Sequence, residues 1–266
     1  VLPSGSNGYD LASSIGSGLA KSAVAFRIGD DQFDLHDELQ DETTVSIITI
    51  QSDEGLEIMR HTIAAQVLAS AIKNLFPKSK LAIGPTIENG FYYDFAREVP
   101  FSSDDFSDIE KRMEEIVDRD LPIEREIWDR NKAIEYFKSK GESYKAELIQ
   151  DLPQNEEIII YKQGDWIDLC RGPHLPSTGK LPLAFKLTKI AGAYWRGDST
   201  KEMLQRMYGT AWANKKQLAN YLTMLEEAEK RDHRRLGREM DLFHFQEHAV
   251  GSVFWHPKGW TLYRNI

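Results

Sequence analysis

Asp168-Leu169-Cys170-Arg171-Gly172-Pro173-His174 gathers into seven positions the only cysteine of the chain, a histidine four residues after it, a carboxylate two residues before it and a Gly-Pro turn. Cys and His are the side chains best suited to ligate zinc or to act as nucleophile and base near neutral pH. Their placement beside a fixed turn marks a candidate site. The same residues also fit an ordinary buried thiol and a surface histidine, because Cys is among the most buried residue types. Spacing alone leaves both readings open. Glu157 to Tyr161 and Asp165 to Cys170 read as two strands, the second delivering the motif at its end.

Upstream of the motif, the apolar residues Met59, Ile63 and Val67, then Leu68, Ile72 and Leu75, recur at three- and four-residue steps until Pro77, which predicts a helix over 56–76. Leu81 to Pro85 and Gly90 to Asp94 read as strand, turn and strand. Ser107-Asp108-Ile109-Glu110 has the form of a capping box for the next helix. A further helix from Asn131 to Lys140 ends at Gly141, with Glu142-Ser143-Tyr144-Lys145 directly after it. Residues 1 to about 50 read as a unit of their own, a helix from Asp10 to Ile15 crossing a small mixed sheet that includes Ala23–Ile28 and Val45–Ile50. Helices alternating with strands in this way indicate an α+β fold.

Downstream, Lys186 to Asp198 is dense in cations and aromatics, which suits either an aromatic core edge with solvated charges or a surface for a nucleotide. A helix is expected near Thr200 to Tyr208, and a long charged helix from about Asn214 to Arg235, striped by Leu218, Tyr221, Leu222 and Leu225. Its terminal cluster, Lys230 to Arg235, reads as a solvated face or a phosphate contact. From Met240 a new unit rich in Phe, Trp and His begins, and its pattern is still open at Ile266, so the expectation is the start of a further domain.

Composition bounds the function classes. With 266 residues, 41% of them hydrophobic, the chain can build real cores, and one cysteine excludes an internal disulfide framework and fits a reducing compartment. No apolar run reaches membrane-spanning length, and Val1 to Ser6 lacks a secretory signature, so cytoplasm is the default and no membrane partner is expected. A net charge of -9 argues against a generic polyanion binder, so any nucleic-acid surface is local.

The ordered blocks Leu81–Pro85, Gly90–Asp94, Gly141–Lys145, Cys170–His174, Gly192–Asp198 and Tyr208–Trp212 resemble the N-terminal portion of the bacterial threonyl-tRNA synthetase family. The resemblance implies a TGS-like β-grasp domain over 1–52, then an editing domain over 53–213 with a helix packed on an antiparallel sheet. A linker helix over 214–239 and the start of a class II catalytic domain over 240–266 would follow. It further implies hydrolysis of mischarged Ser-tRNA(Thr), with serine as product, and binding of the tRNA(Thr) acceptor end. ATP, magnesium and zinc would belong to the catalytic domain that attaches threonine to tRNA, so no cofactor is expected here. A monomer is expected for this part and a homodimer for the full-length protein. The physical need is plain, since threonine and serine differ by one methyl group, worth only about 1–3 kcal/mol of discrimination. Hydrolysis needs a positioned water, a base and donors for the oxyanion. By resemblance, Cys170 and His174 would hold the water and the terminal adenosine, Lys145 would face the developing charge, and Asp168 would bind the serine ammonium or hydroxyl. Tyr93, Arg171 and Tyr194 would contact substrate. Without the resemblance, Lys145 and Asp168 read as a surface ion pair and Tyr93 as a half-buried strand aromatic.

One element departs from the family pattern. Where the family has His-x-x-x-His, this chain has His61-Thr62-Ile63-Ala64-Ala65-Gln66, one residue longer and without the second histidine. Aligned from the left, His61 and Ala65 take the two places; aligned from the right, Thr62 and Gln66 do. On a regular helix His61 and Gln66 would point about 140° apart, and a π-bulge near Ile63 to Ala65 would return both to the cleft. Because Gln is a poor zinc ligand, no metal is expected, and His61 and Gln66 join the candidate catalytic set. The alternative function is a tRNA-binding module whose editing site has lost hydrolysis.

Overall fold

The computed structural model describes residues 2–40 and 42–266; Val1 and Asp41, both inside the expected first domain, lie outside the described residues. Asn7 caps α1 (Gly8–Ile15) through a reciprocal box with Asp10, and a second helix, α2 (Ser17–Ser22), follows Gly16 where the sequence suggested only a stop. Both cover a sheet of β1 (Ala23–Ile28), β2 (Asp31–Asp34) and β3 (Val45–Thr49), in the order β2-β1-β3, around Ala12, Ala20, Ala23 and Leu35. This sheet is antiparallel throughout, not mixed as expected. The Gly29-Asp30 turn joins β1 to β2, and so short a connection makes only an antiparallel pair.

The helix facing the motif is wound in three parts. Ser52 caps α3 (Asp53–Thr62), a π-helical segment runs over Ile63–Leu68, and α4 (Ala69–Leu75) completes it. The expected bulge is therefore present, extending further than Ala65. Strands β4 (Lys80–Leu81), β5 (Thr86–Ile87) and β6 (Gly90–Ala96) come next. The capping box sits at Ser102 and Asp105, not at Ser107 and Glu110: the Ser102 hydroxyl accepts the Asp104 N–H while the Asp105 carboxylate accepts the Ser102 N–H, so Ser107 already lies within α5 (Phe106–Asp118).

Then β7 (Glu124–Trp128), α6 (Arg130–Ser139), α7 (Ser143–Asp151), β8 (Ile158–Gln163) and β9 (Trp166–Leu169) build a second three-stranded antiparallel sheet, β7-β8-β9. Trp128, Phe137, Ile149 and Ile160 form its core with the two helices. Residues 143–151, left without a structure by the sequence, are helix α7, which carries Lys145.

The expected helix near Thr200 to Tyr208 is instead a strand. β10 (Phe185–Tyr194) and β11 (Met203–Ala211) join the large sheet in the order β10-β11-β6-β4, with β5 also on β6. Four-residue steps such as Met203 to Met207 imitate a helix, but β11 is hydrogen-bonded on both sides, to β10 and β6, and such ladders override local pattern. The π segment and α5 pack against this sheet in the main core, which buries Val67, Leu68, Phe91, Phe95, Met113 and Met207.

The chain divides into two units, Val1–Lys215 and Lys216–Ile266, so the expected 1–52 and 53–213 domains fall within one. The linker helix is shorter than expected: α8 (Lys215–Lys230) stops, and Asp232 caps a separate α9 (His233–Glu239). The cations of this cluster are internally paired, Lys230 and Arg231 with Glu227, Arg234 with Asp232 and Arg235 with Glu239. The second unit ends in a hairpin of β12 (Phe243–His244) with β13 (Phe254–Trp255) and helix α10 (Pro257–Asn265). Among the described residues, no helix is long and apolar enough to cross a membrane.

Candidate functional site

The hairpin β8–β9 ends at Leu169 and releases the motif toward the wide part of the helix. There His61 Nε2 lies 2.9 Å from Cys170 Sγ, and the His61 ring stacks on that of His174 with centroids 4.7 Å apart. Thr62 Oγ1 lies 3.1 Å from His174 Nδ1, accepts the Leu175 N–H at 3.0 Å and donates to the Ile58 carbonyl. Both residues that the two registers offered for the first family position therefore reach the motif. His174 is 1% exposed, which excludes the surface-histidine reading, and its Nε2 has no hydrogen-bond partner.

The second position resolves differently. Ala65 lines the cavity beside the motif, whereas Gln66 is fully buried and is not among the lining residues, a correction to the expectation that the bulge turns Gln66 to the cleft. Ala65, four residues after His61, stays on its wall of the helix. The π winding frees backbone carbonyls, and buried polar groups need partners. Trp166 Nε1 donates to the Ala65 carbonyl at 3.3 Å and Gln163 Nε2 to the Gln66 carbonyl at 2.9 Å, while the Gln66 side-chain amide has no partner.

Next to the Cys-His cluster lies a buried ion pair. Lys145 Nζ sits 2.8 Å from Asp168 Oδ1, with side chains 5% and 1% exposed. Tyr93 donates its hydroxyl to Asp168 Oδ2 at 3.3 Å, and Asp168 Oδ1 also accepts the Leu169 N–H. Lys145 and Asp168 thus pair as the bland reading expected, but in the interior and on the cavity wall. The cavity has a volume of about 770 Å³ and is lined by His61, Tyr93, Lys145, Asp168, Cys170 and Arg171 together with apolar residues such as Ile83, Leu148 and Ile159. Arg171 stands at the rim, paired with Glu156 at 2.7 Å and largely exposed. Tyr194 is not brought to this cavity: it ends β10, opposite Met203, on the large sheet. The cations of its segment are engaged nearby, Lys186 with Glu110 and Arg196 with Glu147 and Asp151.

Burial sets the protonation states. Desolvation holds the imidazoles of His61 and His174 below the usual histidine range, so both are neutral at pH 7, able to accept a proton. Burial pushes the Asp168 carboxyl up, opposed by Lys145, and pushes the Tyr93 hydroxyl well above the tyrosine range. His61, Cys170 and His174 each offer one ligand atom within 4.8 Å of the others, a set able to hold a metal ion. The 2.9 Å contact between His61 and Cys170 is nonetheless a hydrogen-bond distance, shorter than the roughly 3.5 Å expected between two ligands of one tetrahedral zinc.

Sequence reading missed the supports of this site. Asp34 accepts the His174 backbone N–H across 140 positions of sequence, and Tyr161, Gln163 and Trp166 act from the hairpin. For Asp34 no local pattern signals the contact; for Gln163 and Trp166 the signal was available in polar side chains on a strand leading to the motif.

Two domain classes are recognisable here. Residues 1–49 match the model of the TGS domain, and residues 158–208, which carry β8, β9, the motif and β10, match that of the threonyl and alanyl tRNA synthetase second additional domain. The chain corresponds to the N-terminal region of threonyl-tRNA synthetase. It is 61% identical to the threonine–tRNA ligase of Rhodospirillum rubrum over 97% of its length, 59% identical to that of Maricaulis maris over 100%, and 55% identical to that of Pelagibacter ubique over 100%. These matches cover 40%, 41% and 41% of the respective ligases, so the chain spans about two fifths of the length of the relatives it matches.

Proposed function

We propose that this chain is the proofreading part of a threonine–tRNA ligase and hydrolyses serine from mischarged Ser-tRNA(Thr) while binding the acceptor end of that tRNA. The observation that carries this reading is the meeting, on one cavity, of His61 and Cys170, backed by the His174 ring stacked on His61, with the Lys145–Asp168–Tyr93 network. Attack on the ester requires a base beside a water, a cation near the oxyanion and an anchor for the amino group. His61, on the cavity wall beside Cys170, and His174, stacked behind it, are neutral imidazoles, Lys145 is the cation, and Asp168 is the anchor. Arg171, at the rim, suits a phosphate or ribose oxygen of the RNA end. Ligation of threonine, with its ATP, magnesium and zinc, and dimerisation are assigned to the remainder of the relatives' length, and the cytoplasm to the whole. The reading gives the editing site no metal; a metal assay on the purified protein tests this, and stoichiometric zinc would overturn it.

Incubation with Ser-tRNA(Thr) is expected to release serine, and with Thr-tRNA(Thr) to release no threonine above buffer. Absence of serine release would favour a tRNA-binding module in which the unpartnered Gln66 marks a lost hydrolytic site. The pH profile follows from the imidazoles. Protonation removes the base, and their pKa values lie below 6.5, so kcat/KM is expected to be flat at neutral pH and to fall on acidification with a midpoint under 6.5. A midpoint above that value would exclude these histidines as the base.

A further inference from the structure

The carboxylate that fixes the Cys170–His174 loop does not come from the domain that carries the loop. Asp34 closes β2 in the TGS domain, yet Oδ1 accepts the backbone N–H of His174 at 2.8 Å and Oδ2 accepts the Tyr161 hydroxyl at 2.7 Å. The Tyr161 ring stands perpendicular to the His174 imidazole, centroids 4.4 Å apart. Its hydroxyl also fills the space where a side chain at position 172 would start, since a Cβ on Gly172 would lie 1.9 Å from it. With a φ of +71°, Gly172 takes a left-handed turn that only glycine adopts readily, and this turn leaves room for the tyrosine. One carboxylate therefore ties down both the backbone of His174 and the ring that walls it. Asp34 itself lines neither the cavity nor its rim.

From this arrangement we infer that Asp34 is a positioning residue for His174, so that the TGS domain completes the hydrolytic site of the domain that follows it. The inference rests on the deacylase reading above. A buried N–H stripped of a charged acceptor costs enough to move a base out of line. Asp34→Ala is expected to lower kcat for serine release about ten- to hundredfold with KM unchanged. Asp34→Asn keeps an oxygen for the His174 N–H and offers an N–H to the Tyr161 oxygen, so it should restore most of kcat. As a control, Arg27→Ala removes the 3.3 Å pair of Arg27 in the TGS domain with Glu54 in α3, a second contact between the same two domains that does not involve Asp34 or the loop, and should leave kcat unchanged. Equal losses in Asp34→Ala and Asp34→Asn, or in Arg27→Ala, or wild-type kcat in Asp34→Ala, would overturn the inference.

NMR of histidine-labelled protein supplies a readout independent of turnover. The His174 ring resonances are expected to move in Asp34→Ala and return in Asp34→Asn; unmoved resonances overturn the inference. If the unaltered protein releases no serine, the deacylase reading fails, while the ring resonances still decide whether Asp34 positions His174.

Discussion

His174→Ala is expected to cut serine release from Ser-tRNA(Thr) by about 10²–10⁴-fold, the range a positioned base contributes. The imidazole is enclosed behind the cavity wall, stacked on His61 and bonded at Nδ1 by Thr62, so it is held in one orientation with its Nε2 unpartnered. Burial keeps it neutral, which is the form a base needs. Because alanine also leaves a hole in a packed loop, His174→Asn should be measured alongside: it retains polar bulk but cannot take up a proton near neutral pH. Comparable losses in both variants, with the protein folded by circular dichroism, would assign the effect to lost proton transfer. Unchanged release from both would place the chemistry elsewhere. Cys170→Ala should reduce release as well, since Cys170 bonds His61 and faces the cavity.

Asp168→Ala is expected to destabilise the fold by about 3–5 kcal/mol, because it strands the Lys145 ammonium in the interior. The two side chains are almost fully buried and 2.8 Å apart, and Asp168 also receives the Tyr93 hydroxyl and the Leu169 N–H. Urea unfolding provides the measurement, read as a fall in midpoint at constant slope. Removing both charges with apolar residues of similar volume, as in Lys145→Met with Asp168→Leu, should recover most of that loss, since burying a matched pair is nearly neutral relative to apolar packing. A loss below about 1 kcal/mol in the single variant would mean that water reaches Lys145 and that the pair is not the buried element its geometry describes. The double variant, stable but unable to release serine, would separate the pair's structural contribution from its role toward substrate.

The motif and its neighbours were legible wherever local chemistry and family blocks coincided. Cys170 and His174 follow a strand, Tyr93 lies on one and walls the cavity, and the winding defect in the helix could be inferred from one residue too many between His61 and Gln66. The choice of residue was not legible. The two registers offered Ala65 or Gln66 for the second position and the expectation chose Gln66, whereas Ala65 meets the cavity. β11 was misread because its strand character comes from partners on both sides, brought together from positions near residues 90 and 190, and nothing within residues 203–211 announces them. Tyr194 was credited with a substrate contact through the company it keeps in sequence; the strand carrying it leads to another part of the sheet. Asp34 was illegible for the opposite reason, being one acid among many in a domain far in sequence from the motif it supports.

The widened turn carries an implication for sequence exchange. Its Gln66 and Ala65 carbonyls accept from Gln163 and Trp166, which belong to the same hairpin that presents Cys170. The π turn on one side of the cleft and these two donors on the other therefore form a matched set. Deleting one residue between His61 and Gln66, without altering the hairpin, is expected to restore a regular winding and to move the Ala65 and Gln66 carbonyls away from these two buried N–H donors. The helix and the hairpin are therefore expected to be exchangeable together but not singly.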